Sequence, residues 1–141
     1  MHPDRLTVGG KDAALDERLD AELTAYNLAT SGVHEQTEFT VRIEDAEGDL
    51  VAGLSGWTWG ICAGIALVWV REDRRARGAG ARLLEAAEQV ARKRGCTQII
   101  VSSFTFQAPG FYVRHGFVET GRTEGLPLDG AADVHLVKPL S

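Results

Sequence analysis

Cysteine is nearly absent from this chain of 141 residues: only Cys62 and Cys96 occur, and no Cys-x-x-Cys pair exists. Two thiols cannot build a disulfide framework, so an ordinary core must hold the fold, and a reducing compartment is the simplest expectation. The 4 histidines, at positions 2, 34, 115 and 135, fall into no metal-ligating spacing with either cysteine, so no metal is expected. Positive charge is also scarce, with 15 Lys and Arg against 20 Asp and Glu. A chain of net charge −5 lacks the broad basic surface that nucleic acid requires. The N-terminal residues hold no apolar core of signal-peptide type, and a cytoplasmic location is expected. No internal repeat, low-complexity tract or linker is present. The length suits a single domain over residues 1–141.

What is present is ordinary for a globule, with 44% hydrophobic and 25% charged residues, which excludes disorder and fibrous repeats. Glycine is abundant at 16 residues, so tight turns or close backbone approach should matter. One uncharged run, Leu50 to Val70, is long enough to cross a bilayer, and Arg71, Arg74, Arg75 and Arg77 follow it. Gly53, Gly56, Gly60 and Gly64 interrupt the run, which reads instead as two strands with a turn near Gly60. No membrane span is expected.

The remaining elements follow from periodicity and punctuation. Leu6 to Val8 suggests a short first strand. Asp12 is a helix cap before Leu15, Leu19, Leu23 and Tyr26, and that helix should end before Gly32. Phe39, Val41 and Ile43 alternate as a half-buried strand, and Asp45 to Asp49 forms a turn. Leu83, Leu84, Ala87, Val90 and Ala91 make the stripe of a second helix that stops at Gly95. A buried strand at Gln98–Ser103, a short helix at Ala108–His115, and strands at Phe117–Thr120 and Val134–Lys138 complete the chain.

Charge is unevenly spread. Residues 1–70 hold 4 basic and 12 acidic side chains, whereas residues 71–94 hold 8 basic and 4 acidic. The basic stretch is either a solvated helix face or a local anion site. It coincides with an apolar strand that meets Arg75-Ala76-Arg77-Gly78-Ala79-Gly80 and then a strong helix. Glycines before a helix let backbone N–H groups converge, and the helix start adds partial positive charge, a recurring solution for phosphate. A P-loop is excluded because no Lys-Ser or Lys-Thr follows, and Leu83 stands where a dinucleotide fingerprint needs its third glycine.

Arg75, Gly78 and Gly80 fill the three defined positions of motif A in the GNAT superfamily of N-acetyltransferases: Gln or Arg, two residues, Gly, one residue, then Gly or Ala. Downstream, Ala108-Pro109-Gly110-Phe111-Tyr112-Val113-Arg114-His115-Gly116-Phe117 resembles the same family's Phe-Tyr and Gly-Phe segment. The resemblance covers about residues 38–120 and implies a mixed α+β fold: a mostly antiparallel central sheet flanked by helices. In that fold one strand splays from its parallel neighbour, and acetyl-CoA, the cosubstrate, lies in the opening. Carried over residue by residue, the resemblance implies that Val68, Trp69 and Val70 offer backbone groups to the pantetheine arm. Arg75, Ala76, Arg77, Gly78, Ala79, Gly80 and Ala81 would wrap the pyrophosphate. Tyr112 takes the general-acid position, the alternative being a packing tyrosine. A backbone N–H near Val68 would face the oxyanion.

The implied activity is direct acetyl transfer to a primary amine, with a small-molecule acceptor as the first expectation. A non-catalytic CoA-binding protein and an acetyltransferase acting on protein N-termini or lysines are the alternatives, and a homodimer is left open. One departure stands out: the position of the family's proton-accepting Glu is Ala66. Replacement bases are His34, Glu35, Glu38 and His135, or no side chain at all. Trp57 and Trp59 share one parity and are expected in the core, or else as an aromatic wall beside the acceptor. Both cysteines are expected to be buried and inert.

Overall fold

A computed structural model describes residues 4–140. The chain divides between Glu35 and Gln36 into two compact units.

The first unit contains α1 (Ala13–Ser31). Asp12 caps it, its carboxylate accepting from the Leu15 N–H at 3.0 Å. Gly32 closes it in the left-handed region at φ 73, a conformation that glycine adopts without a Cβ penalty. Leu6 to Val8 does not form the expected strand. Three residues followed by Gly9 and Gly10 have no neighbouring strand among the described residues to take their backbone groups.

The second unit is a six-stranded sheet with two helices. Its elements are β1 (Thr37–Glu44), β2 (Leu50–Trp59), β3 (Cys62–Val70), α2 (Ala79–Lys93), β4 (Gln98–Phe104), α3 (Pro109–Arg114), β5 (Val118–Glu124) and β6 (Ala132–Pro139). The spatial order is β1-β2-β3-β4-β6-β5, and only β3 and β4 pair in parallel. This is the mixed, mostly antiparallel architecture expected from the sequence. The uncharged run is the β2–β3 hairpin, turned at Gly60 with φ 58. Among the described residues no helix is long and apolar enough to cross a membrane.

Register assigns every side chain to one of two faces. Phe39, Leu54, Val68, Val101 and Leu136 share the face on which α2 lies, and Leu83 of α2 is completely buried there. Two polar ties fix the helix. Lys138 on β6 donates to Glu88 of α2. Beyond the helix end, Arg94 donates to the Thr37 carbonyl at 3.1 Å and to the Thr58 hydroxyl at 3.2 Å. The opposite face carries Leu67, Trp69, Trp57 and Trp59 and is not covered by α2. The two β2 tryptophans are therefore not core residues: Trp57 is half-buried and Trp59 is 37% exposed. Trp57 instead lies across Gly64 on β3, where a Cβ would sit 2.2 Å from its ring.

The β3–β4 ladder is short. Cys62 pairs with Gln98, Ala63 with Ile99 and Gly64 with Ile100, and there the pairing stops. Beyond it β3 runs on to Val70 and β4 to Phe104, each paired only on its outer side. A β-bulge marks the divergence: Gly56 pairs with Ile65 and Ser55 with Leu67, so Ala66 has no partner on β2.

The end of β3 is anchored by Asp45 in the β1–β2 turn. Its carboxylate accepts from the N–H groups of Asp49 at 2.9 Å and Glu47 at 3.0 Å, and from Arg71 at 3.2 Å. The Asp49 N–H bond and the Arg71 guanidinium hold the Asp45 carboxyl below the usual carboxylate range. A depressed folded-state pKa means stability that is present above the unfolded value, near ~3.9, and lost as pH falls through the folded value. Asp45→Asn is expected to lower Tm at neutral pH, with the gap to the native chain closing below about pH 4. Thermal melts across pH 3–7 check this, and a constant gap across that range would contradict it.

Candidate active site

The split between β3 and β4 leaves main-chain groups facing an opening. The Arg71 N–H donates to the Val51 carbonyl at 2.8 Å, which sets the phase of the ladder. In an antiparallel pair such bonds alternate. The N–H and C=O of Val68 and Val70 therefore point away from β2, into the split, while those of Trp69 point toward Gly53 on β2. The Val70 carbonyl is occupied: Arg75 Nε donates to it at 3.1 Å. Arg75 thus folds back and fixes the turn to the strand end. The Val68 N–H, Val68 C=O and Val70 N–H remain directed at the gap.

The turn that follows is built to gather amides. Ala76 is in the left-handed region at φ 62, and Gly78 at φ 84. For Ala76 that conformation costs about 1–2 kcal/mol, and strain of this kind concentrates at functional sites. Gly78 is also the N-cap of α2, and it has no side chain to cap with. The Arg82 N–H donates to the Gly78 carbonyl at 3.1 Å as the first helical bond. The N–H groups of Ala79, Gly80 and Ala81 consequently have no intrahelical acceptor. Together with the helix dipole they make a turn that can receive an anion. Arg74, Arg77 and Arg82 line a groove beside it, against Ile43, Val51 and Ala79.

Gly80 has a different role from Gly78. A Cβ there would come within 2.9 Å of the Phe111 ring on α3. The glycine lets Phe111 of α3 come up against the start of α2. The Tyr112 ring is buried at 8% exposure between Phe111 and Phe117, with centroids 5.2 and 5.5 Å away. No buried polar side-chain atom lacks a hydrogen-bond partner among the described residues. The Tyr112 hydroxyl has no protein partner there, so it reaches open space rather than sealed core. Burial raises its pKa, which keeps the proton on the phenol at neutral pH.

The second unit thus combines a split between β3 and β4, an uncapped glycine turn at the start of α2 and a largely buried Tyr112. The sequence model of the acetyltransferase (GNAT) family matches residues 11–117. The chain belongs to the GNAT family. It is 32% identical over 110 residues to the acetyltransferase Atu2258 of Agrobacterium fabrum, covering 78% of this chain and 80% of that protein. It is 42% identical over 74 residues to the blasticidin-S acetyltransferase of Streptomyces morookaense, covering 50% of this chain and 52% of that one. The solved structure of an acetyltransferase from Bacillus cereus superposes with a TM-score of 0.83 at 29% identity, covering 96% of this chain and 98% of the other. The protein is an N-acetyltransferase.

Within this GNAT fold the residues singled out from sequence divide by position. Val68 and Val70 border the split, and Ala76 to Ala81 form the turn and helix start. Arg75 acts through the strand end, and the Trp69 side chain is 48% exposed on the face away from α2. Motif spacing did not single out Phe111 as the partner of Gly80, although both lie inside the motifs. His135 is one of the replacement bases named from sequence, but its ring partners were not: it bonds Ser102 at 3.0 Å and Thr123 at 3.2 Å on the open face. No motif marks Ser102 or Thr123, and strand pairing alone brings them to His135.

The Gly80–Phe111 contact predicts coupling between the helices. Gly80→Val alone is expected to cost about 1–3 kcal/mol by overpacking. Combined with Phe111→Ala it should cost less than the sum of the single changes, by about 0.5–3 kcal/mol. Urea unfolding of the four variants measures this, and strict additivity would show that the two do not share the space.

Proposed function

We propose that this protein moves the acetyl group of acetyl-CoA directly onto a primary amine of a small molecule, with Tyr112 as general acid. The observation that carries the reading is the β3–β4 split closing onto the uncapped start of α2. An arm with amide groups can add to β3 as an extra strand through Val68 and Val70, and a pyrophosphate suits the converging amides of Ala76 to Ala81. Arg77 and its neighbours supply positive charge for the remaining phosphate oxygens. These residues fit acetyl-CoA, which when bound supplies an activated acetyl thioester.

The chain's own groups then have distinct tasks. The β3 edge orients the thioester along the split. The Val68 N–H donates to the carbonyl oxygen, where negative charge develops as the amine attacks. Tyr112 holds its proton for the departing sulfur, since a thiol of pKa near ~8.5 leaves more readily when protonated. The acceptor approaches from the face that α2 leaves open, where Trp57, Leu67 and Trp69 offer apolar and aromatic contact. A cationic amine suits the acidic first half of the chain, with 12 acidic and 4 basic residues up to Val70. The blasticidin-S acetyltransferase likeness supports a small-molecule acceptor over a protein one.

Acetyl-CoA at ~100 times its dissociation constant should stabilise the protein by about 2.7 kcal/mol, seen as a rise in Tm. Gly78→Val, which forces a branched side chain into the left-handed region, should abolish that rise. Tyr112→Phe is expected to lower kcat about 10²–10⁴-fold with KM for acetyl-CoA nearly unchanged. Absence of any shift with acetyl-CoA, or full turnover by Tyr112→Phe, would contradict the assignment of cosubstrate or acid respectively.

A further inference from the structure

Acetyl transfer as read above needs an amine that has lost its proton, and the position at which a carboxylate would accept it is Ala66. We propose that Ser102 and His135 form a relay that takes this proton. The placement comes from register. Gly64 and Ile100 are the last parallel pair, and the bulge adds one residue to β3. Counted along the diverging strands, Ser102 stands across the split from Ala66 and Leu67. Ser102 and His135 are directly opposite on β4 and β6, on the face away from α2, which is the acceptor's face. Ser102 Oγ lies 3.0 Å from His135 Nδ1, and Thr123 Oγ1 on β5 lies 3.2 Å from Nε2. Ser102 and Thr123 are exposed and His135 is half-buried. Glu38, by contrast, lies on β1, two strands from the split.

Two hydroxyls hold the imidazole in one plane and let it carry a proton on either nitrogen. With Nε2–H donated to Thr123, Nδ1 accepts from the Ser102 hydroxyl. As the ammonium of the acceptor gives its proton to Ser102 Oγ, the proton already on that oxygen passes to Nδ1. The amine lone pair is freed, the serine ends neutral, and the imidazolium returns its proton to solvent. Among the described residues, Asp133 is the other titratable group on this face of the three strands, two positions along β6. Glu119, Arg122 and Glu124 of β5 stand opposite Leu136, Val134 and Ala132, on the face of α2. Ser102 contacts the acceptor, and His135 acts through it.

The test is kcat/KM for thiol release from acetyl-CoA against pH, with glycinamide and n-butylamine as acceptors. Their amines titrate like an α-amino group, near ~8, and a lysine, near ~10.4. The native protein is expected to show one acidic limb common to both. His135→Gln and Ser102→Ala should each lower kcat/KM at neutral pH about 10²-fold and shift the limb to each amine's own pKa. The acetyl-CoA thermal shift should stay intact. Should His135→Gln fold poorly, Ser102→Ala decides alone. A native limb that already follows the amine, or unchanged profiles in both variants, would overturn the relay while leaving acetyl transfer standing. Thiol release with neither amine, despite acetyl-CoA binding, would overturn the reading of a small primary amine as acceptor and the relay with it.

Discussion

The structure turns on one constraint of strand pairing. Two strands stay in register only while they advance by equal steps, and Ala66 adds a residue to β3 that β2 does not match. The parallel ladder to β4 ends at Gly64, two residues earlier. From there β3 is held by β2 and β4 by β6, and the main chain between them is left with donors and acceptors facing a gap. In a buried setting such groups would be costly. Here they form one wall of a site with backbone chemistry built in. Beside the gap the sheet has one face under α2 and one on which Leu67 and Trp69 are exposed.

The helix that follows continues the pattern. α1 spends an aspartate on its first amides, whereas α2 begins at Gly78 with no capping side chain. Leaving three amides unpaired forgoes about 1 kcal/mol of ordinary capping, and the left-handed Ala76 adds strain of its own. Both are intelligible where an anion completes the arrangement. Arg75 secures the turn by donating to the Val70 carbonyl. Gly80 allows Phe111 to dock, and the Phe111 ring meets Tyr112 edge to face.

Much of this was legible in the sequence because it is local. Asp12, Gly32, Gly95 and Pro109 punctuate helices through chemistry that acts within a few residues. The Arg75–Gly80 turn could be read from spacing for the same reason. Pairwise facts across strands were not legible. The two tryptophans of β2 share a parity, as expected, but parity does not say which face α2 will cover, and they fell on the other one. Leu6 to Val8 has strand-like residues and no strand partner among the described residues. The Ser102–His135–Thr123 contact joins three strands, and register alone brings it together. The bulge at Ala66 carried no signal beyond a small residue in an apolar run.

The central claim is that β3 binds acetyl-CoA by its free edge. Amide hydrogen exchange followed by NMR, with and without saturating acetyl-CoA, tests it residue by residue. The account predicts new protection at the N–H groups of Val68 and Val70 and from Ala76 to Ala81. Trp69, whose N–H already faces β2, should be unchanged. Protection at Trp69 without Val68 and Val70, or saturation that leaves this edge exchanging as before, would contradict it.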